Sequence, residues 1–153
     1  MNELADIIAP DRIETNFNPS NKKTLFQQVA QWAGREFLIN PKVIVERLHE
    51  REHLGSTGFG HGVAIPHGKL DSLEKVSVFF VRLKEPIEFD AVDKLPVDLL
   101  FFLFSPTDAG IDHLRSLACI SRRMRDENLR AKLRGAGSSD ALYALLLDDS
   151  VHS

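Results

Sequence analysis

Cysteine is almost missing from this chain: Cys119 is the one in 153 residues. A single cysteine excludes an internal disulfide and a cysteine-based zinc site, and it suits a reducing compartment. Basic surplus is missing too. Nineteen Lys and Arg stand against 22 Asp and Glu, a net −3, so nothing in the charge draws the chain generally to nucleic acid or an anionic membrane. No apolar run approaches the ~20 residues of a membrane span. Met1-Asn2-Glu3 begins with neither the basic region nor the apolar run of a signal peptide. A cytoplasmic protein with no direct membrane insertion is expected. Internal repeats, low-complexity tracts and linkers are lacking as well. Residues 1–153 are therefore expected to form a single domain, long enough to bury about 68–70% of its unfolded surface.

Several chemical signatures are also absent or opposed by their neighbours. Of the histidines His49, His53, His61, His67, His113 and His152, one pair has H-E-x-x-H spacing, His49 and His53 around Glu50-Arg51-Glu52. The two lie at i, i+4 but enclose Arg51, which opposes a cation. No glycine stretch ends in G-K-[ST], so a P-loop is excluded. The basic residues Arg122, Arg123, Arg125, Arg130, Lys132 and Arg134 are interrupted by Asp126 and Glu127, which reads as a solvated helix face rather than a nucleic-acid surface. No metal and no cofactor are expected.

What is present is an alternation of strand and helix patterns. Leu4 to Ile8 reads as a short apolar turn ended by Pro10, and Ile13, Thr15 and Phe17 alternate as a strand. Asn18-Pro19-Ser20-Asn21 is a turn in which Ser20 can cap a helix carrying Leu25, Phe26, Val29, Trp32, Ala33 and Phe37 on one side. Asn40-Pro41 starts a second helix, with Val43, Ile44, Arg47 and Leu48 at helical spacing, that runs to Arg51-Glu52. Val76–Leu83 and Val97–Phe104 are apolar on both parities and read as strands buried on both faces; Pro86 to Asp93 between them reads as a loop. Asp112 to Arg125, Asn128 to Arg134 and Asp140 to Leu147 carry helical stripes, with a serine cap in Gly135–Ser139 and a polar, frayed tail from about residue 148. Strands covered by helices on both faces imply an α/β fold.

The chemistry concentrates in residues 55–69. Gly55, Ser56, Thr57, Gly58, Phe59, Gly60, His61 and Gly62 include four glycines, which allow positive φ and close approach of backbone N–H groups to a ligand. Val63-Ala64-Ile65 reads as a strand stopped by Pro66, which presents His67 at its end with Gly68 leaving space in front. Arg51 ends its helix sixteen residues earlier and is either a solvated arginine or part of this site. His113 shares a helix face with Leu117, Ile120 and Met124, so it faces inward, either as a satisfied core histidine or as a site residue. Ser56 and Thr57 can reach a phosphoryl group or stabilise a turn. Lys69 is either a phosphate attractor or an exposed strand-end lysine. Phe59 can serve as a docking contact, and His61 lacks the proline frame of His67.

In the order G-S-T-G-x-G-x-G-V-A-I-P-H-G-K this stretch resembles the phosphorylation loop of the enzyme IIA proteins of the bacterial phosphoenolpyruvate phosphotransferase system, the mannitol/fructose-type IIA superfamily. The G-S-T-G run, F-D-A-V-D at Phe89–Asp93 and P-V-D-L-L-F at Pro96–Phe101 are most similar to its nitrogen-regulatory branch. The resemblance implies a mixed, mainly parallel sheet flanked by helices. It implies a phosphohistidine carrier with His67 as nucleophile, Arg51 and His113 beside it, and Ser56, Thr57, Gly58 and Gly68 in the phosphoryl-binding loop. It also implies a phosphorylated HPr-like donor of the nitrogen branch, and regulated partners such as potassium transporters or sensor kinases. Two other functions remain open at this stage. One is a sugar-type enzyme IIA passing phosphate to a IIB domain, and the other a docking regulator without phosphotransfer.

Overall fold

The computed structural model describes residues 3–148, and the tail expected beyond Asp148 lies outside the described residues. After a 3-10 turn over Glu3–Asp6 come strand β1 (Ile8–Glu14), helices α1 (Lys22–Phe37) and α2 (Pro41–His53), and three short strands, β2 (Gly58–Gly60), β3 (Val63–Ala64) and β4 (His67–Lys69). The long strands β5 (Ser77–Ile87) and β6 (Val97–Ser105) follow, then helices α3 (Ile111–Met124), α4 (Glu127–Gly135) and α5 (Ser139–Leu147).

The strands form one six-stranded sheet in the order β1-β5-β6-β3-β2, with β4 also on β6. The pairs β1–β5, β3–β6 and β4–β6 are parallel, while β5–β6 and β2–β3 are antiparallel. The sheet is thus mixed, with parallel pairs in the majority although the longest ladder, β5–β6, is antiparallel. Alternation along the two central strands divides the core. Phe79, Val81, Leu100, Phe102 and Phe104 face α1 and α2; Val78, Phe80, Leu99, Phe101 and Leu103 face α3, α4 and α5. Each strand buries both of its faces, which is why its sequence shows no polar alternation.

The helix ends follow local chemistry. Asn21, rather than Ser20, caps α1 by accepting from the Thr24 N–H, and Asn40 and Ser138 cap α2 and α5 in the same way. The α1–α2 turn is tight because Gly34 has no side chain: a Cβ there would lie 2.8 Å from the Ile39 carbonyl oxygen. On the other face three arginines from the interior cap helix C-termini. Arg130 donates to Met124 O of α3 (2.7 Å) and Arg123 to Leu146 O of α5 (2.9 Å). Arg82 on β5 donates to Leu133 O (3.0 Å) and Ala136 O at the end of α4. Positive charge on the exposed C-terminal carbonyls is favourable for both hydrogen bonding and the helix dipole.

Two boundaries differ from expectation. The first strand begins at Ile8 and runs through Pro10, while Thr15 and Phe17 fall outside it. Proline is tolerated because β1 is an edge strand whose register shifts between Ile8 and Ile13. The first central strand, β5, extends to Ile87 through Pro86, beyond a register shift after Arg82 and into the stretch expected to be a loop.

Phe102, fully buried, packs edge-on to Phe26 at 5.7 Å between ring centroids. Phe102→Ala is expected to cost about 3–5 kcal/mol of stability through lost burial and a residual cavity. The urea midpoint at constant m-value measures it; an unchanged midpoint would contradict this account of the core.

Candidate active site

The glycine-rich stretch is folded as a β-hairpin rather than an open loop. Gly58 and Gly60 of β2 pair with Ala64 and Val63 of β3 across a two-residue turn, His61-Gly62. Both turn residues have positive φ, 59° and 80°, the requirement of the primed turns that match strand twist. Side chains from afar hold the tip: the His61 N–H donates to Asp93 Oδ2 (2.8 Å), and Arg134 donates to His61 O (2.6 Å) while clasping Asp98.

At the other end, β3 and β4 both lie along the same edge of β6, interrupted at Ile65-Pro66. Pairing resumes at once after the proline, so His67 opens a strand instead of following one: His67 registers with Leu103, and Pro66 O accepts from the Leu103 N–H at 2.9 Å. Pro66 has no N–H to contribute, and the break leaves the Ile65 carbonyl to the imidazole: His67 Nδ1 lies 2.8 Å from Ile65 O. A carbonyl only accepts, so Nδ1 carries the proton and Nε2 the lone pair. Arg51 confirms this assignment from the far side, donating from Nε to His67 Nε2 at 3.0 Å, with Nη1 on Gly55 O at 2.8 Å.

Gly68 contributes through its lack of bulk. A Cβ there would lie 3.1 Å from Arg47 Cβ, one turn before Arg51 on α2. The space expected in front of His67 is used by the helix that delivers the arginine.

His113, in the first turn of α3, is buried and stands 5.3 Å from His67 between ring centroids, tilted by 59°. Its Nδ1 meets the hydroxyl of the buried Ser105, the last residue of β6, at 2.5 Å. Both imidazoles are held below the ordinary histidine value of 6.5. For His113 the pKa falls to about 4, first because of burial and then because of His67 and Lys69. For His67 burial again dominates; the Ile65 carbonyl opposes it and Arg51 adds to it. Both rings are neutral at neutral pH.

Ser56, Thr57 and Gly58, expected in the phosphoryl-binding loop, have polar groups bonded to one another, to Phe89 and to Glu52 at the end of α2. Ser56 Oγ donates to Phe89 O (2.7 Å) and accepts from the Gly58 N–H (3.1 Å). The Thr57 N–H and hydroxyl both donate to Glu52, at 2.9 and 2.6 Å. These residues shape the loop from behind. Sequence reasoning passed over Glu52 and Ser105. Glu52 has a signal, its adjacency to Arg51 before a glycine run; Ser105 has none beyond ending a strand.

The assembled group is a neutral imidazole with an outward lone pair, one forked cation on that lone pair and a second neutral imidazole beside it. Such a site can take up a charged, oxygen-rich electrophile. Among the described residues no three His, Cys, Asp or Glu side chains converge to hold a metal ion, and no helix is long and apolar enough to cross a membrane.

The chain resembles known proteins over nearly its whole length. Residues 6–149 match the family model described as phosphoenolpyruvate-dependent sugar phosphotransferase system, EIIA 2. A nitrogen regulatory protein of Bradyrhizobium diazoefficiens is 43% identical over 143 residues, covering 94% of each chain. The crystal structure of the nitrogen regulatory protein IIA-Ntr from Neisseria meningitidis superposes with a TM-score of 0.89 at 34% identity, over 94% of this chain and 98% of that one. The IIA mannitol structure from Escherichia coli shares the fold, with a TM-score of 0.76 at 20% identity over 90% and 97%.

The depressed histidines make stability pH-dependent with a definite sign. Between 6.5 and about 4 the unfolded chain binds a proton at residue 113 that the folded chain refuses. The contribution is therefore complete above 6.5 and lost as pH falls towards 4. Urea midpoints measured across that window are expected to fall more steeply for wild type than for His113→Gln, whereas parallel curves would mean that His113 is solvated.

Proposed function

The chain belongs to the EIIA 2 family of the phosphoenolpyruvate-dependent sugar phosphotransferase system, and on that premise we propose that it is a phosphohistidine carrier of the nitrogen-regulatory branch. His67 Nε2 accepts a phosphoryl group from a phosphorylated HPr-like protein. The phosphorylation state then governs which partners the protein binds, potassium transporters or sensor kinases among them, in the cytoplasm. The observation that carries this reading is the fixed tautomer of His67, with Nδ1–H on Ile65 O and a lone pair at Nε2.

In the proposed step the Nε2 lone pair forms the new P–N bond. The P–N bond to the donor's histidine breaks, and its electron pair returns to that donor ring. The His67 ring becomes more positive as the bond forms, and the Ile65 carbonyl, already accepting from Nδ1–H, stabilises it. Arg51 exchanges the nitrogen lone pair for phosphoryl oxygens, where its fork matches the planar spread of charge. His113 Nδ1 shares a hydrogen bond with the Ser105 hydroxyl; in the tautomer that accepts there, the ring proton stands on Nε2 and is offered to the same oxygens. Ser56, Thr57, Gly58 and Gly68 act by holding the loop and α2 in place. Leu54, immediately after Arg51's helix, and Ile111 and Leu114, flanking His113, are all exposed. Exposed apolar side chains this close in sequence to Arg51 and His113 suit docking of a protein donor. Identity to nitrogen regulatory proteins over almost the whole chain favours regulation over sugar transport as the outcome.

Intact mass after incubation with phosphoenolpyruvate, enzyme I-type and HPr-type proteins tests the reading. Wild type is expected to gain one acid-labile phosphoryl group, and His67→Ala none. Labelling of His67→Ala, or none in wild type with any donor, would sink it. Arg51→Ala and His113→Ala each remove one donor and are expected to slow labelling by about 10²–10³; wild-type rates in both would remove them from the site.

A further inference from the structure

A buried carboxylate stands behind the site, and nothing in the phosphoryl-transfer step uses it. The Glu52 side chain is only 6% exposed, yet it is the residue next to Arg51 on α2. Three donors converge on it. Oε2 accepts from Lys22 Nζ (2.9 Å) and the Thr57 N–H (2.9 Å), and Oε1 accepts from the Thr57 hydroxyl (2.6 Å). Lys22 comes from the first turn of α1, with its ammonium 4.2 Å from the centroid of the Phe89 ring. Phe89 in turn receives Ser56 on its carbonyl. Glu52 thus ties the start of α1, the end of α2 and the loop before the hairpin to one another through charge-assisted bonds, stronger than neutral ones.

The tie continues to the imidazole. Thr57, fixed at both its N–H and its hydroxyl by Glu52, offers its carbonyl to the Ile65 N–H at 3.1 Å. Ile65 offers its own carbonyl to His67 Nδ1 at 2.8 Å. The path Glu52–Thr57–Ile65–His67 is hydrogen-bonded at every link, and it ends on the nitrogen whose proton decides which tautomer is present. Glu52 also sits one residue from the arginine that binds the opposite ring nitrogen. One carboxylate therefore controls both sides of the ring, through the hairpin on one side and through the helix end on the other.

We infer that Glu52 is a positioning residue for phosphoryl acceptance: through Thr57 and Ile65 it fixes the Nδ1–H tautomer of His67, and through the end of α2 it sets the reach of Arg51. The inference rests on the carrier reading. The charge is part of its function. Buried among Lys22, the Thr57 N–H and the Thr57 hydroxyl, a carboxylate is satisfied at every contact. A glutamine there keeps one acceptor oxygen for Lys22 and the Thr57 N–H, removes the charge facing Lys22, and turns an NH₂ on the Thr57 hydroxyl, which can then no longer donate to residue 52. A misdirected nucleophile loses rate even where the fold survives, because small displacements of reacting groups are expensive.

The experiment compares wild type, Glu52→Gln, Thr57→Val and Thr57→Ser by two readouts. One is the imidazole nitrogen resonances of His67, which report the tautomer without any donor protein. The other is the single-turnover rate of phosphoryl acceptance from the phosphorylated HPr-type donor. Glu52→Gln is expected to retain its dispersed amide spectrum, mix the two tautomers of His67 and accept phosphate up to about 10²-fold more slowly. A folded Glu52→Gln with wild-type resonances and rate overturns the proposal. Should that variant fail to fold, the threonine pair decides. Thr57→Val must mix the tautomers and slow acceptance and Thr57→Ser must restore both, whereas a valine variant like wild type, or a serine variant no better than valine, overturns it. If wild type accepts no phosphoryl group, the carrier reading fails, and the imidazole resonances alone decide whether Glu52 governs the ring.

Discussion

A histidine can act as a nucleophile only through a nitrogen that holds a free lone pair, and free imidazole does not choose between its two nitrogens. The bond between His67 Nδ1 and the Ile65 carbonyl makes that choice here. For a carbonyl to be available inside a sheet, the ladder has to be broken at that residue, and Pro66 breaks it. For the break not to loosen the strand, pairing has to resume immediately, and it does, with Pro66 O and His67 both on Leu103. The ring is therefore set by backbone geometry on the central sheet. Strand β6, buried on both faces, is the rigid reference for that geometry. It also ends in Ser105, the partner of His113, so a single strand registers both imidazoles.

The two helical layers have separate tasks. The layer of α1 and α2 brings Arg51 to His67, and its close seat on β4 depends on Gly68 admitting the backbone of Arg47. The layer of α3, α4 and α5 carries His113, and its helix ends are closed by Arg82, Arg123 and Arg130 from within. Arg123 and Arg130 belong to the basic set expected on a solvated helix face, and both are buried instead. Arg134 is committed as well, to Asp98 and the hairpin tip.

Periodicity alone revealed α1, α2 and the three C-terminal helices to within a few residues, and the doubly apolar runs revealed the two central strands. Both signals are local. His67 was legible because a proline and a glycine frame it, and its resemblance to a known loop weighted Arg51 and His113. What stayed hidden depends on partners far along the chain. The glycine run is a hairpin because Asp93 and Arg134, 32 and 73 residues away, hold its turn residue. Ser56 is turned towards Phe89, 33 residues on, to whose carbonyl its hydroxyl donates. Asn21 rather than Ser20 caps α1, a choice between two equally good caps that only the backbone decides. Pro10 sits inside a strand because that strand is at an edge, and edges are properties of the assembled sheet.

Arg51 also imposes a constraint on the order of events. In this structure its Nε–H occupies the lone pair of His67 Nε2, the atom the proposed reaction requires. The arginine must leave before phosphorus arrives, and the group that draws it away is the phosphoryl group itself, which offers three oxygens where the ring offered one nitrogen. The guanidinium is charged in both states, but only the phosphoryl group gives it an anionic partner that it can grip with two parallel N–H groups. The exchange is thus downhill once a phosphoryl group is close, and the resting site keeps the lone pair covered until then. Arg51 Nη1 meanwhile holds Gly55 O at the entrance to the hairpin, beside the exposed Leu54. Any swing of the guanidinium towards the phosphoryl oxygens acts on that contact too. On the proposed reading, a change at His67 reaches the start of the hairpin loop through this one side chain, which holds both His67 Nε2 and Gly55 O.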